Sequence, residues 1–322
     1  MPGRTIAVFG AFVAATAPAA ADDWPAHPVT MVVPFAAGGG VDVIGRILSP
    51  RLSELLGRQV VIENVGGAGG LTGAARVAKA APDGYQFVLG NVGTHAVNQT
   101  LYKNPPYHPV DDFAPVALIA EQPTVLIARK DFPASDLRSF LAYAKAHPML
   151  YGSGGAGSAM HIACVVLSAS GSIKATHVPY RGGGPAMTDM IGGRIDYGCP
   201  TAALALPNIE GGQVKALAML SKERSPILPS LPSAAEQGLA NVEVDSWYAF
   251  FLPRGTPAPI VQKLHNATVA AMDTPAVRER LKELGATVVA PARRSPEYLK
   301  TFVESEIVKW AAPIRAAGIV GE

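Results

Sequence analysis

The segment from Val29 to Asp42, VTMVVPFAAGGGVD, constrains the fold of this chain more than any other. Its apolar, β-branched half predicts a buried strand, and the three glycines that follow allow a tight turn into a helix. The N-terminus of a helix has backbone N–H groups without internal partners and a partial charge of roughly +0.5. The segment therefore predicts an anion site that needs no reactive side chain.

The same unit of strand, glycine-rich turn and helix recurs along the chain. In the first half it returns at residues 59–78 and 86–98, and in the second half at residues 151–164, 175–190 and 194–206. Such alternation is typical of α/β folds with mainly parallel sheets, in which ligands bind at the carboxyl ends of the strands. We therefore expect several glycine turns to face one cleft.

Two long extended runs divide the chain into two domains. They are VALIAEQPTVLIAR at 116–129 and VEVDSWYAFFL at 242–252, and each predicts a crossing strand. A chain of 322 residues with 49% hydrophobic side chains is long enough for two domains. We expect residues 22–124 and 247–322 to form a discontinuous domain 1 and residues 125–246 to form domain 2.

The N-terminal residues predict export. Arg4 precedes an apolar stretch, Ile6 to Ala15, and Ala19-Ala20-Ala21 has the small residues of a cleavage site. We interpret residues 1–21 as a cleavable signal peptide and expect a periplasmic mature chain. The alternative is an uncleaved membrane anchor, but the apolar stretch is short for a membrane span.

Charge and cysteine content exclude two classes of function. Lys and Arg total 27 against 25 Asp and Glu, without a basic run, so nucleic acid is not an expected partner. Neither Cys164 nor Cys199 has a second sulfur or a histidine at zinc-ligand spacing, so no metal site is expected. The two cysteines are either small buried hydrophobic residues, which we favour, or a disulfide, which an oxidising periplasm permits.

The sharpest enzyme hypothesis rests on Gly152-x-Gly154-x-x-Gly157, which matches the dinucleotide-binding fingerprint. That fingerprint also requires an acidic residue about 20 positions on, and none occurs between Asp136 and Asp189. Arg181 is a candidate for the 2′-phosphate of NADP instead. An NADP-linked secreted oxidoreductase is therefore the alternative function, but we expect a binding protein without a cofactor, not an enzyme.

Several side chains are open to two interpretations. Asp42 is a general base or, as we favour, holds the glycine loop or caps the helix. His161 turns towards a ligand or packs in the core, and the sequence does not separate the two. Trp247 and Tyr248 line the cleft or fill the core, and we favour the core.

Over nearly its whole mature length, the chain resembles the solute-binding receptors of tripartite tricarboxylate transporters, also called Bug-type receptors. The segments that carry the resemblance are PFAAGGGVD at 34–42, Arg46, ENVGGAGGLTGA at 63–74, APDGY at 81–85, YGSGGAGSAMH at 151–161, HVPYRGGGPAMTDMIGGRID at 177–196, ALAMLSKERSPILPSLPSAAEQGL at 216–239 and SWYAFFLPRGTP at 246–257. Their number and order make the match specific.

The resemblance implies a fold like that of type II periplasmic binding proteins, with two α/β domains joined by two crossing strands and a ligand cleft between them. It implies a monomer that closes on a small organic carboxylate like a flytrap. It further implies delivery to the large and small membrane subunits of a tripartite permease, although relatives can present their ligand to a sensor kinase instead.

The resemblance also implies a set of ligand-binding residues, with Gly40 and Asp42 structural at the site. The implied ligand contacts are Phe35, Ala36, Ala37, Gly38, Gly39, Asn91, Thr94, Ser153, Gly154, Gly157, Ser158, His161, Tyr180 and Thr201. Relatives that bind amino acids commonly have an Asp in the segment occupied here by Cys199-Pro200-Thr201. Since Pro200 offers neither a charge nor an N–H group, we expect a carboxylate without an amino group.

Overall fold

The computed structural model describes residues 24–240 and 242–319, which form two α/β lobes. The predicted signal peptide, residues 1–21, lies outside the described residues. Among the helices of the described residues, none combines the length and apolar character that a membrane-spanning helix needs.

The first lobe is built on a six-stranded sheet with the strand order β11-β4-β10-β3-β1-β2. Its strands are β1 (Val29–Val33), β2 (Val60–Asn64), β3 (Gln86–Asn91), β4 (Phe113–Pro123), β10 (Asp245–Pro253) and β11 (Thr287–Val288). Its helices are α1 (Gly40–Leu56), α2 (Leu71–Ala78), α3 (Asn98–Leu101), α8 (Ala258–Asp273), α9 (Pro275–Glu283) and α10 (Pro296–Ala316).

The second lobe is built on a five-stranded sheet with the strand order β7-β6-β8-β5-β9. Its strands are β5 (Val125–Arg129), β6 (Leu150–Ser153), β7 (Thr176–Pro179), β8 (Tyr197–Gly198) and β9 (Val214–Met219). Its helices are α4 (Leu137–Ala146), α5 (Ala159–Gly171), α6 (Gly183–Ile191) and α7 (Ala202–Glu210).

The first helix illustrates how the sequence forms these elements. Ile44, Leu48 and Leu52 recur every four residues, so they lie on one face of α1, and all three are fully buried against the sheet. The helix ends at Gly57, which adopts the left-handed conformation that glycine accepts without strain and gives its N–H to Glu54 O.

The α/β fold with two domains is confirmed, but both sheets are mixed instead of mainly parallel. In the first sheet β1 pairs in parallel with β2 and β3, whereas β10 is antiparallel to both β3 and β4. In the second sheet β6 is parallel to β7 and β8, whereas β5 is antiparallel to β8 and β9. The reason is the chain path. β10 and β5 begin at the cleft, where β3 and β6 end, so they run in the opposite direction to those strands.

The two crossings lie side by side between the lobes. Thr124 separates β4 from β5, and its hydroxyl donates to Val244 O on the returning segment, at 2.7 Å. One apolar cluster continues through this region, from Leu118 in the first sheet to Leu126 in the second. The predicted domain boundaries, at residues 124/125 and 246/247, stay a prediction.

The structure joins Cys164 and Cys199 in a disulfide, whereas we favoured two separate buried thiols. Cys164 lies in the second turn of α5, and Cys199 directly follows β8. The two residues are separated by 35 positions, so no local sequence signal links them; only the fold brings them together. The bridge ties α5 to the segment that leads into α7.

We expect the double variant Cys164→Ala/Cys199→Ala to fold but to lose stability, because the bridge closes a loop of 35 residues and a loop of this length is worth about 3–4 kcal/mol. Urea denaturation of both proteins checks this. Dithiothreitol should destabilise the wild type and leave the variant unchanged. Equal stability of the wild type with and without dithiothreitol would contradict the bridge.

Candidate functional site

A cavity of about 50 Å³ lies between the two lobes, and both contribute to its wall. The residues that line it are Phe35, Gly39, Gly40, Val41, Asn91, Ser246 and Tyr248 from the first lobe, and Gly154, Ser158, Ala159, Met160, Gly183, Pro200, Thr201 and Leu204 from the second. None of these side chains carries a formal charge at neutral pH.

Four helices begin at the wall of this cavity. They are α1, which starts at Gly40 in the first lobe, and α5, α6 and α7 in the second, and each contributes its N-cap or a first-turn residue to the lining. Their first N–H groups have no partners within the helix, and each terminus carries a partial positive charge. The helix ends therefore present main-chain N–H donors to the cavity without a basic side chain.

The glycine loop before α1 is held by the Asp42 carboxylate. Its Oδ2 accepts the N–H of Gly38 at 2.9 Å and Nε of Arg46 at 2.8 Å, and its Oδ1 accepts Nδ2 of Asn64 at 2.9 Å. Burial raises the pKa of the Asp42 carboxyl, but the hydrogen bonds from Arg46, Gly38 and Asn64 outweigh it and hold the pKa below its ordinary value. Asp42 is thus a charged brace for the loop.

The start of α1 passes very close to the opposite lobe. A Cβ atom added to Gly40 would collide with Oγ1 of Thr201, the N-cap of α7. Glycine at this position therefore allows two helix N-termini from different lobes to share one cavity. Gly40 therefore permits the close approach of the two lobes, and it also lines the cavity.

On β3, the side chain of Asn91 reaches the cavity and Thr94 lies behind it. Thr94 N donates to Asn91 Oδ1 at 3.1 Å, and Asn91 N donates to Thr94 Oγ1 at 3.0 Å. Oγ1 of Thr94 also lies 2.9 Å from Nδ1 of the fully buried His95. Thr94 therefore fixes the orientation of Asn91 and does not line the cavity.

A group of rings, of which Tyr151 and His161 are buried and His177 is half-buried, supports the corresponding loop of the second lobe. Nδ1 of His161 accepts the N–H of Gly157 at 3.2 Å, and Oγ of Ser153 lies 2.6 Å from Nε2 of His177. The ring of Tyr151 stacks on both imidazoles. Burial lowers the pKa of His161 to about 3, with a smaller contribution from His177, and lowers the pKa of His177 to about 4. Both imidazoles are therefore neutral supports at pH 7.

The structure brings about half of the predicted contact residues to the cavity. Those at its wall are Phe35, Gly39, Asn91, Gly154, Ser158 and Thr201. Those in an outer groove at the mouth of the cleft are Ala37, Gly38 and Tyr180. Those that lie behind the wall or between the lobes are Ala36, Thr94, Ser153, Gly157 and His161. A direct contact with ligand stays a prediction for all of these residues.

The residues away from the cavity have other partners. Ala36 gives its N–H to Arg181 O of the second lobe at 2.9 Å. Tyr180 donates its hydroxyl to Asp189 Oδ2 at 2.7 Å, which points it along the outer groove. Gly157 packs directly against Asn98 of the first lobe. Ala36 and Gly157 thus shape the contact between the lobes, which sequence motifs do not distinguish from contact with ligand.

Sequence reasoning missed two lining residues on the returning strand β10, Ser246 and Tyr248. Successive side chains of a strand alternate between its two faces, so Ser246 and Tyr248 share one face and Trp247 the other. Trp247 is buried away from the cavity, and its Nε1 donates to Glu306 Oε2 at 2.9 Å. The preference for the core is therefore confirmed for both, but Tyr248, which is fully buried in the apolar cluster of the first lobe, also lines the cavity. Period-two spacing was the signal that separates it from Trp247.

This arrangement of two α/β lobes with a lined cavity between them defines a two-lobed solute-binding receptor. The model of the tripartite tricarboxylate transporter family receptor matches residues 44–319. The chain therefore belongs to this family of solute-binding receptors.

Solved structures agree with that assignment. MatC from Rhodopseudomonas palustris, solved with bound malate, has 41% identity and a TM-score of 0.88, covering 90% of this chain and 100% of its own. The periplasmic binding protein BugD has 37% identity and a TM-score of 0.90, covering 93% and 100%. Another R. palustris protein, solved with adipate, has 35% identity and a TM-score of 0.88, covering 92% and 99%.

We expect Asp42→Asn to destabilise the protein by about 1–3 kcal/mol, because one of the part-buried donors around the buried carboxylate loses a charged acceptor. Glu63→Gln is the matched control: its carboxylate pairs with Arg76 in a half-exposed position, where loss of the ion pair costs about 0–1 kcal/mol. Urea denaturation measures both. If Asp42→Asn costs no more than Glu63→Gln, the brace has been assigned wrongly.

We also expect stability to fall on acidification from pH 7 to pH 5. The pKa values of His161 and His177 are lowered to about 3 and 4, so between about pH 4 and 6.5 the unfolded chain binds protons that the folded chain does not. The free energy of unfolding therefore rises with pH in that window, by up to about 2 kcal/mol for each histidine between pH 5 and 7.

Denaturation at both pH values tests this with two variants. His177→Gln should flatten the pH dependence by up to about 2 kcal/mol. His147→Gln, at an exposed position, should leave it unchanged. An equal pH dependence in the wild type and His177→Gln would contradict the lowered pKa of the half-buried His177.

Proposed function

We propose that this chain is a periplasmic receptor that captures a small organic carboxylate without an amino group and delivers it to the membrane subunits of a tripartite permease. The observation that carries the proposal is the convergence of four helix N-termini, from both lobes, on a cavity without a charged side chain. In this proposal the main-chain N–H groups bind the carboxylate.

The energetics favour a ligand enclosed by both lobes. Four charge-assisted hydrogen bonds to a carboxylate contribute roughly 6–12 kcal/mol in total, at about 1.5–3 kcal/mol each. Association costs about 4–15 kcal/mol, and micromolar affinity requires about −8 kcal/mol net. Contacts from one open lobe leave weak binding, so we propose that the lobes close on the ligand.

The lining also supports the chemical class of the ligand. MatC and a second R. palustris relative were solved with malate and adipate, which are carboxylates without an amine. In this chain no Asp or Glu lines the cavity, and Pro200 occupies the wall next to the start of α7. An ammonium group there would lose its hydration without gaining a counter-charge, at a cost of several kcal/mol.

Close contacts between the lobes support closure as the mechanism. Tyr102 of the first lobe donates its hydroxyl to Ala156 O of the second at 3.0 Å. Where the lobes meet they present glycines: a Cβ on Gly66 would lie 2.5 Å from Arg181 O, and one on Gly93 would lie 2.6 Å from Gly157 O. Backbone thus packs on backbone across the cleft, which only glycine permits.

The packing of the fingerprint loop argues against the oxidoreductase alternative. Gly154, which a pyrophosphate would approach, lines the cavity, but Gly155 packs on the backbone of Gly69 and Gly157 packs on Asn98, so the first lobe occupies the space in front of the rest of the loop. We therefore propose a receptor without a cofactor. Export through the predicted signal peptide, a monomeric state and delivery to a permease instead of a sensor kinase follow from the family resemblance and belong to the proposal.

We expect Gly66→Ala to weaken carboxylate binding by roughly 5- to 150-fold, which corresponds to about 1–3 kcal/mol for overpacking of the closed contact. The φ angle of Gly66 lies outside the left-handed region, so the change adds a methyl group without backbone strain. Calorimetric titration with malate, succinate and adipate measures the affinity, and small-angle scattering with each acid measures the compaction.

Gly192→Ala is the matched control, since its added Cβ would lie at an ordinary 3.4 Å from Thr188 O. It should bind and compact like the wild type. Binding and compaction by Gly66→Ala equal to those of the wild type would contradict closure, and an absence of binding by the wild type across all three acids would contradict the ligand class.

A further inference from the structure

We propose that Ser246 is a specificity-determining residue that recognises a hydroxyl group on the bound carboxylate. This inference rests on the proposed function and deepens it, because it narrows the ligand to a hydroxy acid. It starts from a polar atom that the protein leaves without a partner.

The hydroxyl of Ser246 is buried, unpartnered and at the cavity wall. The residue is 1% exposed, and its Oγ has no hydrogen-bond partner among the described residues. Burial of a hydroxyl without a partner costs about 1–3 kcal/mol, so native proteins rarely leave one in this state. The group that can satisfy Oγ must then occupy the cavity that Ser246 lines.

The side chain that faces Ser246 across the sheet has no spare group to offer. Ser246 pairs with Gln122 across β10 and β4, but both atoms of that side-chain amide are already engaged. Oε1 of Gln122 accepts the hydroxyl of Tyr248 at 2.8 Å, and Nε2 donates to Leu284 O at 2.7 Å. A rotation of Gln122 towards Ser246 would break one of these bonds.

The surroundings of Ser246 match a neutral group that both donates and accepts. The hydroxyl of Tyr248 lies near those of Thr201 and Ser246 but makes no hydrogen bond with Oγ of Ser246, and burial raises the pKa of Tyr248 to about 12. Because Tyr248 gives its proton to Gln122, its oxygen is available as an acceptor, while Ser246 is available as a donor. A ligand hydroxyl can use both.

The negative charge of the ligand has a different place. The helix N-termini of α1, α5, α6 and α7 supply the unpartnered N–H groups, whereas Ser246 lies on a strand and adds a neutral hydroxyl. The carboxylate therefore faces the helix ends and the hydroxyl faces β10. With this division of roles, Ser246 on β10 discriminates between carboxylates of similar size.

Calorimetric titration with pairs of acids that differ by one hydroxyl tests the inference: malate with succinate, and 2-hydroxyglutarate with glutarate. The wild type should bind the hydroxylated member of a pair at least about 10-fold more tightly. Ser246→Ala should reduce that ratio to within about twofold by weakening only the hydroxylated acid, since the other acid makes no hydrogen bond to Oγ.

Two controls separate recognition from a structural role. Ser225→Ala changes another buried serine, outside the cavity, and should keep the wild-type preference. Thermal denaturation of ligand-free Ser246→Ala should give a melting temperature no lower than that of the wild type, because the lost hydroxyl had no partner in the protein. A lower melting temperature would assign Ser246 a structural role and overturn the proposal.

Three binding results would also overturn it. They are a wild type without preference within the pairs, a preference that survives Ser246→Ala, and an equal loss of affinity for both members of a pair. In each of these the acids still bind, so the proposed receptor function stands. If none of the four acids binds, the receptor function for small carboxylates fails, and the inference fails with it.

Discussion

The proposed recognition depends on main-chain N–H groups at helix ends. These groups face a shared cavity that no charged side chain lines. In the proposed function, an anion there is held by dipoles that the fold fixes in place, so recognition would depend on where the helices begin. Asp42 fixes the loop before α1, and the disulfide between Cys164 and Cys199 ties α5 to the segment that leads into α7. Both devices keep helix ends in position and leave the cavity itself uncharged.

Sharing one cavity between two lobes requires their backbones to approach closely. Glycine at positions 40, 66 and 93 meets this requirement, because a side chain at any of them would strike the opposite lobe. The crossing strands are held together at Thr124 and Val244, beside a continuous apolar cluster, so they join the lobes as packed strands and not as free linkers. The many glycines in the sequence are thus required as much by contact between the lobes as by contact with a ligand.

The sequence was sufficient for the α/β class, the two lobes and the glycine loops, because hydrophobic runs and glycine turns are local signals. It was insufficient where the outcome depends on distant partners. Cys164 and Cys199 come together only through the fold, and the mixed pairing of β10 follows from its return across the cleft. His161 lies behind the cavity and Tyr248 at its wall, a distinction that depends on packing around each ring.

The most direct test of main-chain recognition is a titration of the ¹⁵N-labelled protein with malate, followed through its amide proton shifts. The account predicts that the amides of Gly40 in the first lobe, and of Ala159 and Gly183 in the second, move strongly downfield and saturate at one common ligand concentration. Shifts confined to one lobe, or shifts centred on arginine and lysine side chains while these amides stay unmoved, would contradict it.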